Sequence, residues 1–397
     1  MPIDRARLRL WWWRRQGLDG SLEGRGAAEI LQRSGWARSL GGVGPYLTLF
    51  ARGRISRGAA DAALARLEIQ ELPSARGCVY VVPAADYALA LAVGRGFAGA
   101  ELKVAATLGV TEAEIDRLCA AVLAALAPGP LDPEGIRAAT GGAARSLGEA
   151  GKKKGITTTL PLALGRLQSA GSIRRVPARG RLDQQRFAYA LWPDNPHETA
   201  SLADEEAFRA LARSYFRWIG PARLAEFQWF SGLGAKACRE IANSLGLVPA
   251  AADDDFLLLP EDAEAFAGTA ADCEPDYALV GSLDGLLAAR RNLDGLIDPG
   301  DAAIEMEIEG RLQPLGVLAI PSHPILDRGR LVGLWEYDPD AEEIAWASFV
   351  GRNAELAAAV RRTEAYVRTE LGDARAFSLD SVKSRRPRIE ALRRLGG

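Results

Sequence analysis

The stretch Thr157-Thr158-Thr159-Leu160-Pro161-Leu162-Ala163-Leu164-Gly165-Arg166-Leu167-Gln168-Ser169-Ala170-Gly171 is followed by Ile173-Arg174-Arg175-Val176, the turn Pro177-Ala178-Arg179-Gly180-Arg181, and Phe187-Ala188-Tyr189-Ala190-Leu191-Trp192. The threonines can cap a helix whose apolar positions are Leu160, Leu162, Leu164 and Leu167. Gly171 is a helix stop. Two strands joined by a basic, Gly/Pro-bearing turn come next. Helix, strand, basic turn and returning strand make the second half of a winged helix. Residues 132–150 supply an earlier helix, opened by Asp132-Pro133-Glu134 as cap, first-turn proline and first-turn acid. In such a module the second helix is expected in the major groove and the hairpin on the phosphate backbone. Lys152, Lys153 and Lys154 then stand at the mouth of that helix, where phosphates would be met.

Working outward, two weaker copies are visible. Residues 58–67 read as a helix, with strands at 68–72 and 76–82 across Pro73-Ser74-Ala75. In the second copy, helices are expected at 204–218 (capped at Asp204), from Pro221 to about Phe230, and at 234–245. Strands at 247–249 and 256–259 follow, around the acidic Asp253-Asp254-Asp255. Phosphate would repel that loop, so this module is read as structural. Alternating segments over 303–349 predict an antiparallel sheet or small barrel, and 352–371 one long helix. The fold class is therefore α+β: three tandem winged-helix modules, then a small antiparallel sheet or barrel and a C-terminal helix. The expected divisions are 1–100, 101–200, 201–275, 276–350 and 351–397.

Across 397 residues the formal charge is only −2, yet it is unevenly spread. Residues 1–60 carry +7, 151–191 carry +8, 251–310 carry −14 and 383–397 carry +5. Clustered cations release counterions from a polyanion whatever the total charge, so three basic segments point to nucleic acid. The best-placed cations are Arg174, Arg175, Arg179 and Arg181 on the hairpin at 173–192, and Lys383, Arg385 and Arg386 in the tail. Two histidines and four scattered cysteines leave no pattern for a metal centre, a disulfide framework or a Ser-His-Asp hydrolase. No cofactor is expected. No apolar run reaches a membrane span and no secretory leader is evident, so a cytoplasmic monomer is the expectation.

Other conspicuous residues have plainer roles. Trp11-Trp12-Trp13 could stack on bases, but three tryptophans more often pack a helix. Gly41-Gly42-Val43-Gly44-Pro45 has no preceding strand and no following Lys-Ser/Thr, so it reads as a link. His323 reads as a hydrogen-bonded structural residue. Glu336 and Asp338 have no recognisable acid–base partner, and the tail is either a backbone clamp or disordered.

Collinear motifs carry a resemblance. The segment from Pro321-Ser322-His323-Pro324 to Leu334-Trp335-Glu336-Tyr337 resembles the closing sheet of the winged-helix DNA glycosylase family of the YcaQ/AlkZ type. Arg76-Gly77-Cys78-Val79-Tyr80-Val81-Val82-Pro83 looks like its first wing, which implies a DNA contact for Arg76, and Trp229-Phe230-Ser231-Gly232-Leu233 looks like its third-module helix. Asp284 with Arg290 and Arg291 is similar to its Asp-then-Arg segment. The resemblance implies a basic channel for duplex DNA. It also implies hydrolysis of the N-glycosidic bond of bulky alkylated or crosslinked purines, without a metal. In that family a Gln-x-Gln or Gln-x-Asp motif near the end of an early helix positions water at the sugar C1′. Counting back from Phe50-Ala51-Arg52, the two polar positions fall on Ala37 and Ser39, and Tyr80 replaces the wing histidine. Alanine cannot orient water, and serine without a neighbouring base is a poor substitute.

The catalytic residue is thus unassigned. The expected function is that of a duplex-DNA-binding protein, its DNA intact or damaged, related to crosslink-repair glycosylases but lacking the usual motif. An active monofunctional glycosylase with a relocated residue is the alternative, and a protein-interaction scaffold a further one.

Overall fold

The computed structural model describes residues 3–396 apart from 185, 200–201, 253, 271–273, 309–310 and 316–321, so Asp253 and Pro321 lie outside the described residues. The chain is α+β, and one element order recurs along it. The first unit runs through helix Ala27–Ser34, the two-residue strand Ala37–Arg38, helices Gly44–Gly53 and Arg57–Ala65, and strands Ile69–Pro73 and Val79–Pro83. The last strand lies between the other two in the sheet. The third unit repeats the order with helix Asp204–Ile219, strand Ala222–Arg223, helices Leu224–Ser231 and Ala235–Leu245, and strands Val248–Pro249 and Phe256–Leu258, again with the last strand central. In the second unit a single bridge, Leu131 to Tyr189, replaces the short first strand. Helices Glu112–Leu126, Pro133–Thr140, Gly148–Lys153 and Leu160–Ser169 lead to the hairpin Ile173–Pro177 with Phe187–Leu191.

Local chemistry explains most boundaries. Asp132 accepts from the Gly135 N–H at 2.7 Å, Ser56 from Ala59 and Thr111 from Glu114, each filling an orphan donor of a helix start. The 169–173 break falls at Gly171, with φ of 68°. Three boundaries differ from the sequence expectation. Helix Asp204–Ile219 takes Ala203, not Asp204, as N-cap. The segment opened by Pro221 is a strand, and its helix starts at Leu224. Ala37 belongs to a strand and Ser39 follows it, rather than a helix end: Gly35, at φ of 104°, breaks helix Ala27–Ser34, Ala37 pairs with Val81, and Ser39 N–H donates to the Val79 carbonyl.

Helix Tyr87–Ala106 joins the first two units and packs on helix Leu160–Ser169. It crosses the first hairpin at Gly94, where a Cβ would come within 2.4 Å of the Pro73 carbonyl oxygen. Beyond the third unit, strands Tyr277–Leu279, His323–Asp327, Arg330–Asp338 and Glu343–Ser348 form an antiparallel sheet whose linear order leaves it open. A separate hairpin pairs Glu305–Ile308 with Arg311–Pro314. Helix Ala354–Tyr366 continues through a π-turn to Leu371, and Val382–Gly396 is a helix packed on the sheet. None of the described helices is long and apolar enough to cross a membrane.

Opposite charges close the molecule on itself. Arg9 pairs with Asp298, Arg15 with Asp262, Arg52 with Asp284, and Arg223 with Asp255. Three arginines of the N-terminal segment are thus tied to the acidic 251–310 segment, while Arg25, Arg33, Arg54 and Arg57 pair with nearby Glu29, Glu23 and Asp61. Trp11 and Trp12 donate their indole N–H groups to the carbonyls of Gly220 and Pro221, and Trp13 to Asp276. The tryptophans pack a helix, as the plainer reading holds.

Candidate nucleic-acid interface

Two open clefts meet at Arg76. One, of about 360 Å³, is lined by Arg38, Arg76, Arg290 and Arg291 with Leu40, Trp229 and residues 282–283, 287–288 and 292–293, and no carboxylate lines it among the described residues. The other, of about 640 Å³, lies between the first hairpin, helix Tyr87–Ala106 and helix Leu160–Ser169. Arg76, Arg137 and Arg175 contribute its positive charge, and Glu101 a single acid.

Arg76 owes its place to the hairpin turn. It sits at φ of 56°, a left-handed conformation costing a non-glycine residue roughly 1–2 kcal/mol, followed by Gly77 at 66°. Its guanidinium carbon stands 3.7 Å from the Trp229 ring centroid, so the first unit's hairpin rests on the third unit's helix. Arg38 points from the other edge of the sheet, 5.3 Å from the Tyr80 ring centroid, with its buried Nη1 lacking a partner. Arg175 stands 4.4 Å from the Phe187 ring centroid. Arg290 contributes less charge than its position suggests. It is buried against Trp12 at 3.6 Å, ion-paired with Glu226 at 3.7 Å, and bonded to the Leu286 and Ile219 carbonyls.

Of the sequence-expected contacts, the structure brings Arg76 and Arg175 together along this surface and leaves the others off it. Arg174 alternates to the opposite face of its strand, half-buried near Tyr87, where burial pushes its guanidinium pKa down. Arg179 is exposed at the hairpin tip. Arg181 is bound by Asp183 and reaches the Leu371 carbonyl. Lys152 pairs with Glu149, and Lys154 donates to Thr107 at 2.6 Å; neither they nor Lys153 line either cleft.

The tail expectation is corrected. Arg385 is fully buried, bonded to Asp373 at 2.6 Å and to the Tyr337 carbonyl, so it cannot meet a phosphate. Arg386 binds Asp338 and Asp340, and Arg388 binds Glu336 and Asp380. Acids of the sheet and of the loops beside it take up much of the tail's charge, while Lys383, Arg393 and Arg394 are exposed, Arg393 paired with Asp338 and Glu343. Helix Leu160–Ser169 also departs from expectation. Leu160, Leu162, Ala163, Leu164, Leu167, Gln168 and Ser169 are largely buried, and Leu160, Pro161, Leu164, Gly165, Gln168 and Ser169 line the cleft. Only Gln168 and Ser169 among these carry a side-chain donor, and both are little exposed, so this face is poor in groups that read base edges.

The motif positions are equally enclosed. Ala37 and Ser39 lie inward, at 1% and 3% exposure. Ser39 Oγ donates a short bond to Glu71 Oε1, and burial pushes the Glu71 carboxyl up while Ser39 and Arg175 oppose that shift. Glu71 received no role from the sequence. Its inward parity with Ile69 on strand Ile69–Pro73 is the signal that singles it out. His323 is a link as expected: Nδ1 accepts from the Ser282 N–H at 2.9 Å and Nε2 bonds the Ala374 carbonyl at 2.6 Å. No cluster of metal-ligating side chains occurs among the described residues.

Known proteins share this architecture. No curated protein sequence matches the chain. The structure of Streptomyces sahachiroi DNA glycosylase AlkZ superposes with a TM-score of 0.69 at 19% identity, covering 95% of this chain and 99% of that one. The family model described as DNA glycosylase AlkZ-like matches residues 43–377, and the chain belongs to that family.

Proposed function

We propose that the chain binds double-stranded DNA across the two clefts that share Arg76, as a monomer in the cytoplasm, and that it lacks the water-positioning motif usual in its family. The observation that carries the DNA reading is the contiguity of Arg38, Arg76, Arg137 and Arg175 along one concave surface. Cations so arranged can follow a phosphate backbone. In this reading the three repeated units are winged-helix modules, divided near residues 100, 200 and 275, with the open sheet to about 350 and the helical C-terminus beyond. Lys152–Lys154, Arg179 and Lys383 are exposed enough to join peripheral phosphate contacts. The enclosure of Ala37 and Ser39 supports the loss of the motif. Binding of a fluorescent duplex at two salt concentrations tests the first part. Affinity should fall steeply with salt, and salt-independent binding or none overturns it. A scaffold would give that negative result.

One observation favours a second reading, an active glycosylase. Glu71 is joined to Ser39, the second motif position, and burial raises its pKa above the usual carboxylate range, the direction that makes a stronger proton acceptor. The step would be attack of water on C1′, with the N-glycosidic electron pair leaving on the base nitrogen and the water proton passing to the Glu71 carboxylate. Release of N7-alkylguanine from an alkylated duplex is the assay. This second reading expects release that falls about 10²-fold or more in Glu71→Gln while duplex affinity is kept. No release by the unaltered protein leaves the first reading standing.

A further inference from the structure

Six large apolar side chains are conspicuously exposed among the described residues, and three of them share one spot. Leu379 is 81% exposed, Phe377 42% and Leu40 40%. Ser378 N–H donates to the Leu40 carbonyl and Val43 N–H to that of Arg375, both at 3.0 Å, so loop 374–381 lies against segment 40–43. Leu40 in turn lines the cleft that holds Arg38, Arg76 and Arg291. The loop is held firmly for a surface feature. Asp380 is buried, accepts from the Ala376 N–H at 3.2 Å and is gripped by Arg388 at 2.8 Å. His323 ties its Ala374 end to Ser282, another residue of the cleft wall.

We infer that Phe377 and Leu379, with Leu40 beside them, form an apolar wedge that enters the base stack of a duplex seated in the arginine cleft. This rests on the duplex-binding reading above. Apolar side chains raised on a fixed loop beside phosphate-binding cations are what unstacking a base step requires: the cations hold the backbone, and the wedge replaces the lost stacking. A loop that yielded would itself be displaced. The ion pairs of Asp380 provide the stiffness.

The test uses the full chain and a duplex carrying one 2-aminopurine, whose fluorescence rises when it unstacks, with anisotropy of an end label reporting affinity. The unaltered protein should bind and raise the 2-aminopurine signal. Phe377→Ala/Leu379→Ala should cut that rise by at least about fivefold while affinity changes less than about threefold, because the phosphate contacts remain. Leu379→Met should keep the rise. An undiminished signal in the double variant, or none with the unaltered protein bound, overturns the wedge but leaves duplex binding intact. A dimer that the double variant converts to monomer assigns the patch to self-association and also overturns it. Absence of anisotropy change with the unaltered protein removes duplex binding, and the wedge with it.

Discussion

Arg52 and Asp284, 232 residues apart, meet in a two-pronged ion pair at 2.7 and 2.8 Å with neither side chain exposed. Gln16 adds a third contact, its Oε1 accepting from Arg52 at 2.6 Å while its Nε2 donates to the carbonyls of Ser34 and Trp218. One buried charge network thus joins the N-terminal helix to the first and third units and to the segment that follows the first strand of the open sheet. Asp284→Ala would leave the guanidinium buried without a counter-charge, and a loss of about 3–5 kcal/mol is expected in urea unfolding. Replacing both partners, as Arg52→Met/Asp284→Leu, should recover most of that loss. A mild effect of the single change would contradict the burial.

The two kinds of arginine should separate in a binding experiment. Arg76→Ala removes a cleft cation, and the slope of log affinity against log salt should become shallower by about one. Arg385→Met should leave that slope unchanged and lower stability by about 3 kcal/mol, since Asp373 and Asp380 lose their buried partner. Equal slope changes in both variants would return the tail to the interface.

His323 makes stability depend on pH. Burial disfavours the charged ring and pushes its imidazole below the usual 6.5, and Nδ1 accepts from the Ser282 N–H, as only an unprotonated nitrogen can. Glu336 and Asp380 favour the charged form and Arg385 opposes it, but burial outweighs them. The unfolded chain binds a proton near pH 6.5 and the folded chain only at lower pH, so below that value unfolding takes up protons. The contribution is complete above about pH 6.5 and is lost as pH falls, at up to about 1.4 kcal/mol per unit, until the lowered folded pKa is reached. Comparing urea midpoints of the unaltered protein and His323→Gln from about pH 7.5 to 5 should show the slope flattened in the variant.

Restoring glutamine at the first motif position should fail. Ala37 packs with Ile30, Leu31 and Val81 at 1% exposure. A longer amide there must displace neighbours and lose water, so Ala37→Gln is expected to cost about 1–3 kcal/mol and yield no base release. A stable variant that excised alkylated bases would show that the strand opens.

Repetition was the legible part of the fold. The hairpins at 69–83 and 173–191 announce themselves by paired runs around Gly/Pro turns, and Asp132-Pro133-Glu134 opens a helix as written. Strands Ala37–Arg38 and Ala222–Arg223 are too short to show a period, and both were absorbed into neighbouring helices. In the site, Arg175 could be found because its segment is rich in arginine, and Arg76 because its hairpin resembles a known wing. Arg38 and Arg137 stand alone in sequence and become cleft residues only through tertiary packing. Counting charge along the chain misjudged both ends, because it cannot see Arg9 reach Asp298 or Arg386 reach Asp338.

The N-terminal helix also sets an order on biosynthesis. It leaves the ribosome ahead of the third unit, yet Trp11 and Trp12 wait for Gly220 and Pro221, and Arg9 for Gly295, 286 positions downstream. At ordinary elongation rates that interval is roughly 15–60 s. For that time three neighbouring indoles have no docking site, making this helix a natural client for a chaperone on the nascent chain and its seating one of the last events of maturation.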